Sequence, residues 1–555
     1  MKMLKKYQVL LFSIAGGLLM SAAWPQNGMA VLLFFAMIPF LIVEDQVFRF
    51  RTKYNRFAVF FYSYPGFFVW NVLTTWWIYN STFFGAAMAV MFNALFMALV
   101  FQFYHYCRKI LTRNHVKPYE TGFFVLIIYW VTFEYLHLNW ELSWPWLQLG
   151  NGFASVVKSI QWYEYTGVLG GTIWILTMNV LWYRLLQMVI DKENMIKIRK
   201  FSVLPLLVLI VPLILSWIMY YSYNEKNAPV DIVVVQPNVD PYGEKFDARN
   251  WELILEDLLI GQSLEMTDNN TDFIVWPETS IPGTITISEM DYSYDIDRIK
   301  HRITSQYPNL RVVSGANMND IYDTKKTATA RFFKNPVYDV EYWWDSFNSA
   351  VEVDSSGIIG LYHKSKLVPG VERMPYPHLF RFLEKYAIDL GGTTGSQATS
   401  PEPMNFINGK VPVAPVICYE SIFGEYVTGY IRKGAQLIFI VTNDGWWGET
   451  PGYRQHFAYA SLRAIETRRS IARSANTGIS GFINQRGDVI QEVPYDEKHV
   501  IRNIINANDK LTVYVKYGDY LGRLSGFASI AVVFIVIVKL IFRRKSLKRE
   551  AAGIE

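Results

Sequence analysis

Three apolar segments of this chain run into a side chain able to do chemistry. Glu278 follows Phe273-Ile-Val-Trp-Pro, Lys364 follows Gly360-Leu-Tyr-His, and Cys418 ends Val413-Ala-Pro-Val-Ile. A cysteine attacks as its thiolate and needs a base or a cation beside it. A carboxylate can take the thiol proton and later return it to an attacking group. A lysine can hold the thiolate and donate to the oxyanion of a tetrahedral intermediate. Together the three suffice for acyl transfer through a thioester. Each also has a plainer reading when taken singly. A cysteine after an apolar strand packs as a small hydrophobe, a glutamate after Trp-Pro caps a helix, and a lysine after a hairpin is solvated.

The elements that must position them alternate in type. Runs rich in β-branched residues at Asp231–Gln236, Phe273–Trp276, Leu310–Ser314, Val413–Cys418 and Leu437–Thr442 read as strands. Ala248–Leu264 and Arg454–Arg469 carry helical periodicity. Such alternation predicts an α/β architecture, whose ligands bind outside the carboxyl ends of the strands. Ser349–Tyr362 and Gly478–Val493 read as hairpins, each with a glycine in its turn, and the whole as a mixed α/β sandwich. The segment 320–346 turns from polar to aromatic and reads as an insertion or a flexible arm. Asn443 and Asp444 read as turn formers. His456 and Arg454 read as structural residues of a helix. The histidines show no metal-ligand spacing, so no metal and no other cofactor is expected.

The remainder of the chain is a different kind of polymer. Hydrophobic residues make up 51% of the 555 and charged residues only 18%, against about 25% charged in an average soluble domain. A net charge of +5 gives no reason to expect nucleic-acid binding, and 2 cysteines exclude a disulfide framework. Apolar stretches at 8–24, 29–44, 57–78, 83–104, 122–138, 166–190, 203–221 and 524–542 predict eight membrane spans. Basic residues flank every second connection: Lys2, Lys5 and Lys6; Arg49, Arg51, Lys53 and Arg56; Arg108, Lys109, Arg113 and Lys117; Lys192, Lys197, Arg199 and Lys200; and the tail from Arg543. The intervening loops carry almost none. That bias puts both termini in the cytoplasm and the hydrophilic middle outside, which is the periplasm in a bacterium with two membranes. The expected domains are 1–221 (seven spans), 222–523 (catalytic) and 524–555 (last span and basic tail). Intramembrane charge is expected to be sparse, with Glu134 and Glu164 the nearest exceptions, which argues against a transporter.

Three motifs in chain order carry a family resemblance: Ile274-Val-Trp-Pro-Glu278-Thr-Ser, Tyr362-His-Lys364-Ser-Lys-Leu-Val-Pro-Gly-Val-Glu372 and Val416-Ile-Cys418-Tyr-Glu420-Ser-Ile-Phe. They resemble the Glu, Lys and Cys motifs of the nitrilase superfamily. With the eight spans, the whole chain resembles that superfamily's membrane-embedded branch, the apolipoprotein N-acyltransferases. Trp144-Pro-Trp-Leu-Gln-Leu-Gly150, Val235-Gln-Pro-Asn238 and Thr442-Asn-Asp-Gly-Trp-Trp-Gly448 are further matches. The resemblance implies an αββα sandwich with Glu278 as general base, Cys418 as nucleophile and Lys364 as stabiliser of thiolate and oxyanion. It implies supporting roles for Glu372, Tyr419 and Glu420. Phe246, where the family often has Trp, is assigned with Trp446 and Trp447 to substrate binding. The two tryptophans would line a lipid entrance or anchor at the interface. A second departure is Gly370-Val-Glu372, where the family often has Phe-Gly-Glu. The implied partners are a phospholipid acyl donor, a diacylglyceryl-lipoprotein acceptor and the surrounding membrane lipids, in an inner-membrane monomer. Loops 365–378 and 388–404, with Met374, Tyr376, Leu379 and Met404, are candidate lids. The competing reading is a tethered amidase that hydrolyses small amides with the same three residues.

Overall fold

The structure is a computed structural model. It describes residues 3–25, 28–112, 122–245, 247–335, 340–376 and 397–551. The chain divides into two compact units, one of Met1–Trp76, Ala86–Met219 and Asp519–Glu555, the other of Trp77–Gly85 and Tyr220–Gly518.

The first unit is helical. Helices occupy every predicted stretch, but among the described residues 5 are long and apolar enough to cross a membrane: Ala30–Arg49, Phe83–Leu111, Tyr163–Ile190, Met195–Ser222 and Tyr520–Arg544. Lys6–Ala22 and Phe123–His137 are apolar but shorter. Small residues bring backbones together, as membrane helices require in the absence of a hydrophobic drive. A Cβ on Gly17 would lie 2.2 Å from the Gly66 carbonyl oxygen, so the helices Lys6–Ala22 and Ala58–Thr75 can touch only because that atom is missing. Charge is less sparse here than the sequence implied. Glu44, Asp45 and Arg108 are fully buried, and His105 nearly so. Glu44 accepts from Arg108 and lies 2.7 Å from His105 Nδ1, while Asp45 pairs with Arg49 at 2.6 Å. These residues sit at helix ends beside basic loops, where a window average sees a flank rather than a core. Glu134 is also buried, accepting from Trp130 Nε1, Leu149 N and Thr172 Oγ1. It thereby holds the Trp144–Gly150 motif, a buried pair of 3₁₀ turns.

The second unit has two sheets. The first contains β1 (Pro229–Gln236), β2 (Phe273–Val275), β3 (Ile281–Thr286), β4 (Arg311–Tyr322), β5 (Arg331–Asn335), β6 (Val340–Asp354) and β7 (Gly357–His363). The second runs from β8 (Val413–Ile417) through β9 (Leu437–Thr442), β10 (Ile471–Ala475) and β11 (Ser480–Ile483) to β12 (Val489–Val493). β13 (His499–Asn506) returns to pair antiparallel with β1. Strand periodicity sorts the core. Val230, Ile232 and Val234 of β1 face the second sheet, in one cluster with Val416, Ile440 and Phe482, and the Phe273 and Phe439 rings meet edge to face at 5.2 Å. Val233 and Val235 face the other way, onto Ile254, Leu259, Ile299 and Ile303 of outer helices. Helices Gly424–Arg432 and Pro451–Thr467 add Val427, Ile431, Ala460 and Ala464 to the cluster of the second sheet. The expected arm 320–346 differs from its prediction: its described residues extend β4, β5 and β6 as a paired ribbon, because cross-strand aromatics such as Phe332–Trp343 and Phe333–Tyr342 stabilise it.

Candidate active site

Glu278, Lys364 and Cys418 each sit just past the end of a strand: β2, β7 and β8 respectively. Lys364 is the hub. Its Nζ lies 3.0 Å from Glu278 Oε1 and 2.8 Å from Glu372 Oε1, and all three residues are buried, as is Cys418. Asn348 of β6 donates to the same two carboxylates, at 2.7 Å to Glu278 and 3.2 Å to Glu372. Glu372 is held in turn by Val368 N at 2.8 Å. The departure at Gly370 leaves this arrangement whole. Gly370 has φ 80, a left-handed conformation that glycine adopts at no steric cost, and the turn it makes still delivers the Glu372 carboxylate to Lys364.

Cys418 opens a 3₁₀ turn with φ 47, an uncommon conformation for a side-chain-bearing residue. Burial pushes its thiol well up, the charge of Glu278 adds to that, and Lys364 opposes it. The thiol therefore rests protonated and needs a base. Burial also works against the Glu278 carboxylate, but Lys364 and the Asn348 hydrogen bond outweigh it and hold Glu278 below the usual glutamate range. The Lys364 ammonium suffers the same desolvation, and Glu278 and Glu372 keep it well above the usual lysine range. A carboxylate base, a fixed cation and a neutral thiol thus share one dry site.

Glu420 serves the site differently from Glu372. One oxygen accepts from Tyr362 OH and Ser365 N, and the other from Ile417 N and Tyr430 OH. It clamps the loop after β7 to the end of β8, with both oxygens engaged. Tyr419 is buried with its ring edge-on to Phe423 at 5.2 Å.

Sequence reasoning passed over several neighbours. His456 Nε2 lies 2.9 Å from Ser421 Oγ and 3.3 Å from the Cys418 carbonyl oxygen, and its Nδ1 is 2.9 Å from Asp444. Asp444 pairs with Arg473 at 2.5 Å. Asp444 is thus more than a turn former: it is the buried anchor of a hydrogen-bonded chain behind Cys418. Burial and then Arg473 push His456 below the usual histidine range, so its ring is neutral. Arg454, by contrast, is exposed and donates to Tyr453 OH. The single clue to His456 was its place one turn inside a helix that follows Trp446-Trp447. Lys245 and Asn348 had no clue at all.

Two of the assigned substrate-binding residues, Trp446 and Trp447, make aromatic contacts. Trp447 packs against Trp77 at 4.6 Å and His456 at 5.6 Å, and Trp446 meets Tyr242 edge-on at 5.1 Å. Asn80 Nδ2 donates to the Trp447 carbonyl at 2.7 Å and Ser81 Oγ to that of Trp446. Phe246 and Leu379 lie outside the described residues. Met374 and Tyr376 are partly buried and Met404 is exposed.

The α/β sandwich is that of an enzyme of the carbon–nitrogen hydrolase type, and residues 234–509 match the Carbon-nitrogen hydrolase family model. Residues 16–181 match the Apolipoprotein N-acyltransferase N-terminal domain. The chain is 28% identical over 506 residues to the apolipoprotein N-acyltransferase of Chlorobaculum tepidum, covering 89% of this chain and 90% of that one. It is 27% identical to that of Geobacter metallireducens, covering 97% and 96%. Among solved structures, it is similar to Saccharomyces cerevisiae Nit3 (12% identity, 52% of this chain, 93% of that chain, TM-score 0.34). The chain belongs to the apolipoprotein N-acyltransferase family.

Proposed function

We propose that the protein moves an acyl chain from a phospholipid to the α-amine of an S-diacylglyceryl-cysteine at a lipoprotein N-terminus. The observation that carries this reading is the union, in one chain, of an N-acyltransferase N-terminal region and a Glu278–Lys364 pair beside Cys418. Glu278 takes the Cys418 proton as sulfur attacks the ester carbonyl. Lys364 steadies the oxyanion, and the lysophospholipid oxygen leaves with the proton. The amine then attacks the thioester, Glu278 accepts its proton, and the restored thiol recovers it. Splitting the transfer in two predicts ping-pong kinetics. A buried site slows loss of the thioester to water.

Two lipid-anchored substrates give a reason for the helical region. Eight spans, arranged 1–221 and 524–555 around the catalytic region 222–523, would hold the thiol at the outer leaflet of the inner membrane, with both termini cytoplasmic and the protein acting as a monomer. Support comes from the alternation of basic loops and from the apolar helices. Trp446 and Trp447 would border the lipid path.

Incubation with phospholipid followed by intact-mass measurement tests the reading. The expected gain is one acyl chain, mapped to Cys418 and absent from Cys418→Ala. Undiminished labelling of Cys418→Ala overturns the nucleophile. Ammonia release from simple amides, with no lysophospholipid formed, would favour the amidase instead.

A further inference from the structure

Lys245 is a buried ammonium at the site that the steps above leave unused. It follows the turn after β1, is 7% exposed, and donates to the Glu278 carbonyl oxygen at 2.8 Å. It also lines a cleft with Thr279, Ser280, Gly283, Asn317 and Asn476. The backbone it holds is strained. Thr279, a β-branched residue, has φ 47, a conformation that persists only where the surroundings impose it. Two other holds come from Gly315 of β4: its N donates to the Pro277 carbonyl at 3.0 Å, and its carbonyl accepts from Ser280 N at 3.0 Å. A Cβ on Gly315 would lie 2.6 Å from Glu278 Cα, so the approach needs glycine.

The charge balance points the same way. Lys364 is one cation between two carboxylates, Glu278 and Glu372. Adding Lys245 gives two cations and two anions. When Glu278 takes the thiol proton, the anion moves from carboxylate to sulfur and the set stays neutral. Without Lys245 this set of groups carries an excess negative charge in a dry environment, where forming a thiolate is most costly.

We propose that Lys245 is a positioning residue for the acylation half-reaction, pinning the Glu278 turn and supplying the second positive charge that the Cys418 thiolate needs. The proposal rests on the acyl-transfer reading above. The titratable groups that face Lys245 are Glu278, after β2, and Cys418, after β8. Asn317 of β4 and Asn476 after β10 bring neutral amides. On its own loop, Asp240 accepts from Tyr242 N and Gly243 N, and Glu244 from Asp240 N. Burial pushes Lys245 down to about 8, against the pull of Glu278 and Cys418. Its charge is therefore present below that pH and lost as pH rises through it.

The test is single-turnover acyl-enzyme formation by the full chain in detergent, with a phosphatidylethanolamine–phosphatidylglycerol mixture as donor, read by intact mass across alkaline pH. Wild type is expected to slow as pH rises through about 8. Lys245→Met is expected to form acyl-enzyme about 10- to 100-fold more slowly at neutral pH and to lack that alkaline limb. A Lys245→Met protein with wild-type rate and profile overturns the proposal, as does one that is slow but keeps the limb, since that marks a structural role only. If Lys245→Met does not fold, the wild-type profile decides, and a flat one overturns the proposal. A wild type that forms no acyl-enzyme overturns the acyl-transfer reading instead.

Discussion

The helical unit and the catalytic unit each bury an ion network, and the two are built to different ends. In the helical unit Arg108 meets Glu44 and, at 3.6 Å, Asp45, while its guanidinium lies 4.5 Å from the centres of the Phe48 and Phe123 rings. Glu44 and Asp45 there meet Arg108 on a neighbouring helix, and Asp45 also pairs with Arg49 on its own. In the catalytic unit Lys364 is shared between two carboxylates, and the charges of Glu278 and Lys364 both bear on Cys418. The first network spends its charge on joining helices. The second gathers its charge where it bears on a thiol. Burial of charge marks both regions, and only the neighbouring chemistry tells them apart.

Substituting the central cation of each network tests that distinction with the largest effects. Lys364→Met should lower acyl-enzyme formation by about 10²–10³-fold, the scale for losing an oxyanion donor. Arg108→Met should cost about 3–5 kcal/mol of stability, because it strands buried carboxylates, yet leave acylation per folded molecule unchanged. Denaturant unfolding and single-turnover acylation measured on both variants would break the comparison if Arg108→Met lost acylation at full stability.

A smaller effect is expected behind Cys418. His456→Ala removes a partner from Ser421 and from the Cys418 carbonyl but leaves the Asp444–Arg473 pair. About tenfold slower acylation is expected, with about 1–3 kcal/mol of destabilisation from the stranded polar groups. A wild-type acylation rate would show that the elbow at Cys418 is held without the hydrogen-bonded chain. The smallest effect is expected at Asn80→Ala, which deletes one hydrogen bond to the Trp447 carbonyl. That should cost about 0.5–1.5 kcal/mol and slow acylation less than His456→Ala does. A larger loss than that of His456→Ala would make the Trp77–Gly85 segment a working part of the site.

What the sequence determined by itself is local. Apolar runs, strand alternation and turn residues follow from backbone period and burial, so β1, β2, β4, β8 and β9 were legible, as were the apolar stretches and the strand-end positions of Glu278, Lys364 and Cys418. The charge at Glu44, Asp45 and Arg108 was not legible, since a residue at the end of an apolar run looks the same whether it meets solvent or another helix. Window hydropathy likewise could not separate the five helices that are long enough to span from the shorter ones. Convergence belongs to the tertiary structure alone. Asn348 reaches Glu278 and Glu372 because β6 pairs with both β4 and β7, and Lys245 meets the Glu278 carbonyl 33 residues away. Asp444, which reads as a turn former, becomes an ion-pair anchor only because β10 lies beside β9 and brings Arg473 to it. Sheet register sets these meetings, and no single segment encodes register across partners so distant in the chain.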